Sequence, residues 1–167
     1  DGCERRPHAW PGGIRLEPMG TRIGDILVEQ VHSDGQVEVR LRVHATSEAV
    51  TASLCGITQT ARVVSGVAEL SLIIRDPVLW WPAGQGAQGL HDLMLTGSGA
   101  RAVKRIGLRD MRLVSQPDAA GRSFGVQVNG RAVFAKGANW IPADALFGRI
   151  TVDAVRALLQ SAVDAKM

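Results

Sequence analysis

The chain has 167 residues, of which 46% are hydrophobic and 21% charged, with 19 Gly and 7 Pro; this composition indicates a folded globular protein and excludes disorder as the main state. The apolar runs, such as residues 78–81, are far shorter than the roughly 18 to 20 residues of a membrane-spanning helix, so we expect no membrane insertion. The net charge of +3 comes from basic residues spread among 16 acidic ones, a pattern that disfavours nucleic-acid binding.

Residues 22–114 are predicted to form a succession of short strands. The clearest is 36–45, where apolar side chains occupy every second position, the period of a sheet with one wet face. A strand at 22–31 precedes it, and Asp34-Gly35 between them predicts a hairpin turn. Further strands are predicted at 50–54, 58–64, 68–74, 91–96, 102–106 and 111–114. This number of short strands predicts an antiparallel sandwich, with immunoglobulin-like topology the favoured version.

The pattern changes after residue 116. A second hairpin is predicted from 124–128 and 132–138, because Asn129-Gly130 accepts the positive φ angles of a type I′ turn. One helix follows, with Thr151 as its N-cap and apolar residues at three- and four-residue steps. A strand that feeds a helix is half of a βαβ unit and needs a parallel neighbour, so we expect the chain to be a segment of a longer protein.

The cysteines and histidines form no metal-ligand pattern in the sequence. Cys3 and Cys55 belong to no CxxC pair, and the histidines are isolated from one another. We therefore expect no metal site, no disulfide framework and surface positions for the histidines. Together with the Arg and Ala content, the few cysteines favour a bacterial cytoplasmic location, with a lysosomal one as the alternative.

Three stretches of sequence carry a family resemblance. They are LWWPAG at 79–84, IGLR at 106–109, and VNG at 128–130 followed by FAKGANWIPAD at 134–144. In this order and spacing they resemble β-mannosidases of glycoside hydrolase family 2. The first two occur broadly in the sandwich domain of that family, whereas the last is the form typical of β-mannosidases. The chain departs from the family pattern at His91, where Tyr is usual, and at Ala83, where Asn is usual.

The resemblance implies a mainly β chain of three parts. Residues 1–20 would be the tail of a preceding β-sandwich domain or an artificial end of the chain. Residues 21–114 would form the immunoglobulin-like sandwich, and 115–167 the first hairpin, strand and helix of a truncated (β/α)8 catalytic barrel. Trp80 and Trp81 are expected to pack between domains rather than to touch sugar. Arg109 is expected to bridge backbone carbonyls or a carboxylate there.

Three residues are the candidates for substrate binding: Asn139, Trp140 and Asp144. In a parallel barrel the active site lies at the carboxyl ends of the strands, where a first strand at 133–138 would place Asn139 and Trp140. An indole stacks on a pyranose ring and an amide bonds its hydroxyls, although Trp140 could instead plug the top of the barrel. Asp144 is equally suited to bonding a sugar hydroxyl and to forming a cap or turn.

The resemblance implies a retaining exo-glycosidase that releases terminal β-D-mannosyl residues from the non-reducing end of oligosaccharides, without metal or cofactor. Such an enzyme uses two carboxyl groups about 5 to 5.5 Å apart, supplied in the family by Glu residues on later barrel strands. Every Glu of this chain precedes residue 115, so we expect no catalytic residue in it and no activity of the chain alone. The alternatives are another family 2 exo-glycosidase, of β-glucosaminidase or β-galactosidase type, and a non-catalytic sandwich that binds carbohydrate or protein.

The expected partners are a β-mannoside oligosaccharide and the remainder of the catalytic barrel. Without that remainder, Val155, Leu159 and Val163 of the helix have no sheet to cover them. Self-association of the chain through this apolar face is therefore expected.

Overall fold

The structure, a computed structural model, describes residues 20–167, apart from the side chain of Phe147. The described residues divide into two compact units, 20–133 and 134–167, and each is treated by itself. The predicted tail at 1–20 lies, except for Gly20, outside the described residues. The domain boundary placed after residue 114 stays a prediction. Within 20–167 no helix has the length and apolarity needed to cross a membrane.

Seven antiparallel strands form the sandwich of the first unit. They pair in two sheets, of order β1-β2-β5 and β4-β3-β6-β7, and this confirms the predicted mainly β, immunoglobulin-like fold class. The strands are β1 (Ile23–Ser33), β2 (Gln36–Ala45), β3 (Ala49–Leu54), β4 (Ile57–Arg62), β5 (Val67–Arg75), β6 (His91–Gly97) and β7 (Ala100–Ile106).

The core lies between the two sheets. Alternate residues of β2 point inward and are buried, as the two-residue period predicts. From the opposite sheet, Leu54, Leu93 and Leu95 are almost completely buried against them. Leu108, just beyond β7, is also fully buried. The IGLR segment is thereby anchored in the core, because burial of one leucine side chain contributes about 1.5 to 3 kcal/mol.

A smaller sheet follows the sandwich in the first unit. Its order is β12-β11-β8, with β8 at Met111–Val114, β11 at Gly125–Val128 and β12 at Arg131–Val133. A two-residue ladder, β9 (Pro117–Asp118) with β10 (Gly121–Arg122), interrupts it and was not predicted. Asn129 and Gly130 have φ angles of 51° and 77°, which confirms the predicted turn.

The strand predicted at 132–138 is wrong beyond its first two residues. β12 ends at Val133, and residues 134–140 have no regular structure. The proposed first barrel strand at 133–138 is therefore not formed, because no strand among residues 20–167 pairs with this segment to satisfy its backbone groups.

The second unit contains a 3-10 turn at Phe147–Arg149 and one helix, α1, at Val152–Asp164. The predicted N-cap is confirmed, since the Thr151 hydroxyl accepts a 3.2 Å hydrogen bond from the backbone N–H of Ala154. Most apolar side chains of α1 are exposed, namely Val152, Leu158, Leu159 and Val163. The helix thus presents an uncovered apolar surface within its own unit.

Candidate functional site

The LWWPAG and IGLR stretches and the VNG part of the third stretch meet within the first unit at the side chain of Asn129, whereas residues 134–144 belong to the second unit. The Asn129 Nδ2 donates to the carbonyl oxygen of Trp80 at 3.0 Å. Its Oδ1 accepts from the backbone N–H of Asp110, also at 3.0 Å, and its own N–H donates to the Asp110 carbonyl at 2.7 Å.

Trp80 lies against the backbone of the IGLR segment. The backbone N–H of Trp80 donates to the backbone carbonyl oxygen of Leu108 at 2.8 Å. A Cβ added to Gly107 would lie 2.9 Å from both Cβ and Cγ of Trp80, so only glycine allows this approach. The guanidinium of Arg109 stands 4.8 Å from the centroid of the Trp80 ring, a cation–π arrangement. The Arg109 side chain therefore stacks on an indole, whereas a bridge to carbonyls or a carboxylate was expected.

Trp81 repeats the arrangement with different partners. The guanidinium of Arg131 lies 4.9 Å from the Trp81 ring centroid. A Cβ on Gly86 would come within 2.8 Å of the indole, so a second glycine makes room for a second tryptophan. Both tryptophans thus pack inside the unit 20–133. Their predicted packing between domains stays a prediction.

Gln30 of β1 clamps the IGLR backbone from the other side. Its Nε2 donates to the Gly107 carbonyl at 3.0 Å, and its Oε1 accepts from the Arg109 N–H at 2.9 Å. His32 Nε2 lies 3.2 Å from the same Oε1, and because that oxygen only accepts, Nε2 carries the hydrogen. Burial lowers the pKa of His32, against an opposing effect of the Asp110 carboxylate.

Trp140 borders an open apolar concavity of about 600 Å³ in the second unit. The other lining residues come from the loop before α1 and from α1 itself: Pro142, Ala143, Ile150, Val155 and Leu159. Trp140 is 56% exposed, so a large part of this residue is open to solvent. Asn139 is exposed as well and lies outside the lining of the concavity.

Asp144 forms a local turn. Its Oδ1 accepts from the backbone N–H of Leu146 at 2.8 Å, and its Oδ2 lies 3.6 Å from Nε of Arg149. The turn-forming role weighed from the sequence is thus present in the structure, and the sugar-bonding role stays a prediction. Among residues 20–167 no three His, Cys, Asp or Glu side chains are grouped so as to hold a metal ion.

Sequence reasoning missed the side-chain roles of Gln30, Asn129 and Arg131. Asn129 was expected only as a turn former, because its residue type already explains the turn. Gln30 and Arg131 lie in strands and carry no local signal. Each of the two residues is distant in sequence from its own partner, so only the fold brings residue and partner together.

No family model matches the chain. It is 33% identical over 162 residues to β-mannosidase B of Aspergillus fumigatus, an alignment that covers 86% of this chain and 19% of that protein. It is 42% identical over 95 residues to the β-mannosidase of goat, Capra hircus, covering 53% of this chain and 11% of that protein. The crystal structure of β-D-mannosidase from Dictyoglomus thermophilum superposes with a TM-score of 0.71 at 30% identity, over 85% of this chain and 20% of that one.

These similarities first define a class: the relatives are glycoside hydrolases, and the chain spans about a fifth of the length of the fungal one. Within that class the similarity is to β-mannosidases. The resemblance to the β-mannosidases of glycoside hydrolase family 2, indicated by the three motif stretches, is thereby confirmed.

Proposed function

We propose that this chain is a segment of a retaining exo-β-mannosidase and that the two catalytic Glu residues lie outside it. The complete protein would release terminal β-D-mannosyl residues from the non-reducing end of oligosaccharides. The observation that carries this proposal is the similarity to β-mannosidases over 86% of the chain in sequence and 85% in structure. None of the six Glu residues lies within residues 134–167, the range that contains the KGANWIPAD stretch.

The substrate contacts we propose are Asn139, Trp140 and Asp144. The exposed indole and its apolar surroundings support the role of Trp140, since such a surface suits the C–H face of a pyranose ring. The exposed amide of Asn139 is free to donate to and accept from hydroxyls. One carboxylate oxygen of Asp144 accepts the hydrogen bond of the turn. The other lies near Arg149 and would also accept a hydrogen bond from a sugar hydroxyl.

The proposal includes a metal-free and cofactor-free reaction, because two carboxyl groups suffice for retaining glycoside hydrolysis. The partners it includes are a β-mannoside oligosaccharide and the remaining barrel strands. A bacterial cytoplasmic location, with a lysosomal alternative, is carried only by composition.

A substrate panel tests the activity. The complete protein and the 167-residue chain are assayed with 4-nitrophenyl β-D-mannoside, β-D-glucosaminide and β-D-galactoside. We expect the complete protein to cleave the mannoside fastest and the chain alone to show no turnover above a blank from the same host. Faster cleavage of another glycoside would overturn the mannosidase assignment, and turnover by the chain alone would overturn the placement of the catalytic residues.

A pair of variants of the complete protein tests the site. Trp140→Ala should lower kcat/KM by about tenfold or more, because a stacked ring contributes on the order of 1 kcal/mol and its loss also misplaces the sugar. Ile141→Ala is the matched control, since Ile141 is 78% exposed and lies outside the concavity. Equal effects of the two substitutions would contradict the stacking role.

A further inference from the structure

Two side chains of the sandwich that the proposed glycosidase leaves unused come together at one end of β6. Cys55 occupies the two-residue turn between β3 and β4, and His91 is the first residue of β6. The Cys55 Sγ lies 3.3 Å from Nδ1 of His91, within hydrogen-bond distance for sulfur. Their separation of 36 positions in the sequence hides the pair from any local motif.

A third group orients the imidazole. Nε2 of His91 lies 3.0 Å from the carbonyl oxygen of Val78. Because a carbonyl oxygen only accepts, Nε2 carries the hydrogen of the neutral ring, and Nδ1 presents its lone pair to the thiol. A nucleophile, a base within reach and a group that orients the base are the arrangement by which proteins activate thiols.

The sulfur is accessible. Cys55 is exposed, and a Cβ placed on the adjacent Gly56 would meet no atom within 4 Å, so the space over the turn is open. Partial burial nevertheless raises the pKa of the Cys55 thiol, so the thiol stays protonated near neutral pH and needs a base to react.

We propose that Cys55 and His91 form a thiol–imidazole site that exchanges with small disulfides. His91 Nδ1 takes the proton from Sγ, and the sulfur attacks one sulfur of the disulfide. A new S–S bond to Cys55 forms while the bond within the small disulfide breaks, and the imidazolium passes its proton to the leaving thiolate or, where that thiolate is a weak base, to solvent. Cys55 is oxidised to the mixed disulfide, and half of the small disulfide is reduced to a thiol or thiolate, so atoms and electrons balance.

The test measures the rate at which 5,5′-dithiobis(2-nitrobenzoate), a small aromatic disulfide, reacts with Cys55. A Cys3→Ser background leaves Cys55 as the single thiol of the chain. In this background we expect His91→Gln to slow the reaction at pH 7 by about tenfold or more, the low end of general-base contributions. His44→Gln, on the opposite sheet, is the matched control and should leave the rate unchanged.

The pH dependence of the rate supplies a second measurement, which does not require a folded His91 variant. A thiol without a base loses about tenfold in rate for each pH unit below its pKa, because only the thiolate attacks. With His91 present we expect a shallower fall between pH 8 and pH 6. If the rate falls tenfold per pH unit in the Cys3→Ser protein with His91 intact, the proposal is overturned. Equal rates for His91→Gln and its parent would overturn it as well. His91→Tyr should behave as His91→Gln, because a phenol with a pKa near 10 is no base at neutral pH.

Discussion

The side-chain amide of Asn129 donates to the main-chain carbonyl of Trp80 over 3.0 Å and so joins two segments that are 49 residues apart. The same side chain accepts from the backbone N–H of Asp110, next to the IGLR stretch. The LWWPAG, IGLR and VNG segments are therefore joined by hydrogen bonds within the first unit, whereas residues 134–144 belong to the second. Loss of the Asn129 side chain would leave both the Trp80 carbonyl and the Asp110 N–H without these partners.

Replacement of Asn129 should destabilise the first unit in two separable ways. Asn129→Ala removes two side-chain hydrogen bonds, about 1 kcal/mol each. It also places alanine at a φ of 51°, a conformation that asparagine tolerates better than alanine does. We expect the free energy of unfolding in urea to fall by about 2 to 3 kcal/mol. Asn129→Gly accepts the positive φ and should lose only about 1 to 2 kcal/mol. A glycine variant as stable as the parent would show that the two bonds contribute nothing.

Gly107→Ala should be among the most destabilising single-methyl changes in the unit. The added Cβ would lie 2.9 Å from Trp80 Cβ and Cγ, and the segment cannot move away because Leu108 is held in the core. Overpacking of this kind costs about 1 to 3 kcal/mol, measured as a lower melting temperature. Gly125→Ala is the control: its Cβ would meet nothing closer than the Val114 carbonyl at 3.8 Å. Similar losses for both variants would argue against the Trp80 contact as the cause.

The sandwich could be predicted from the sequence because its signals are local. Alternating apolar residues in β2, and Asn129-Gly130 at the second hairpin, specify strands and turns without reference to distant residues. Residues 134–138 show the limit. They were predicted as a strand because they follow the Asn129-Gly130 turn, but Ala, Lys and Gly, which fill 135–138, are depleted in strands. In addition, no strand among residues 20–167 supplies them with ladder hydrogen bonds.

The sequence predicts which residue types form the candidate site better than it predicts which side chains contact one another. The residue type of Trp140 predicts stacking on a sugar ring, and the residue is exposed. The stacking of Arg109 on Trp80 was missed, because nothing in the sequence tells whether a guanidinium meets a carboxylate or an aromatic face.

Acid should destabilise the first unit through His32. Burial lowers the pKa of this imidazole in the folded state, so the unfolded chain binds the proton more readily. The contribution of His32 to stability is therefore complete above the unfolded pKa of about 6.5 and is lost as the pH falls below it toward the folded value. Urea unfolding at several pH values between 8 and 5 should show this loss. His32→Gln should flatten the change in this window, whereas His44→Gln should not, and an unchanged profile in His32→Gln would refute the assignment.

The apolar surface of the second unit predicts self-association of the chain. Leu159 and Val163 on α1 are 54% and 60% exposed, and Leu159 also lines the concavity beside Trp140. Burial of such side chains between copies is favourable by about 25 cal/mol for each Å² removed from water. We expect sedimentation velocity to show concentration-dependent association and Leu159→Lys to weaken it, because a charge at this place resists burial. Arg156→Lys, which keeps the charge on the same helix, should leave association unchanged. A chain that stays monomeric across the concentration range would show that this surface is too small to hold two copies together.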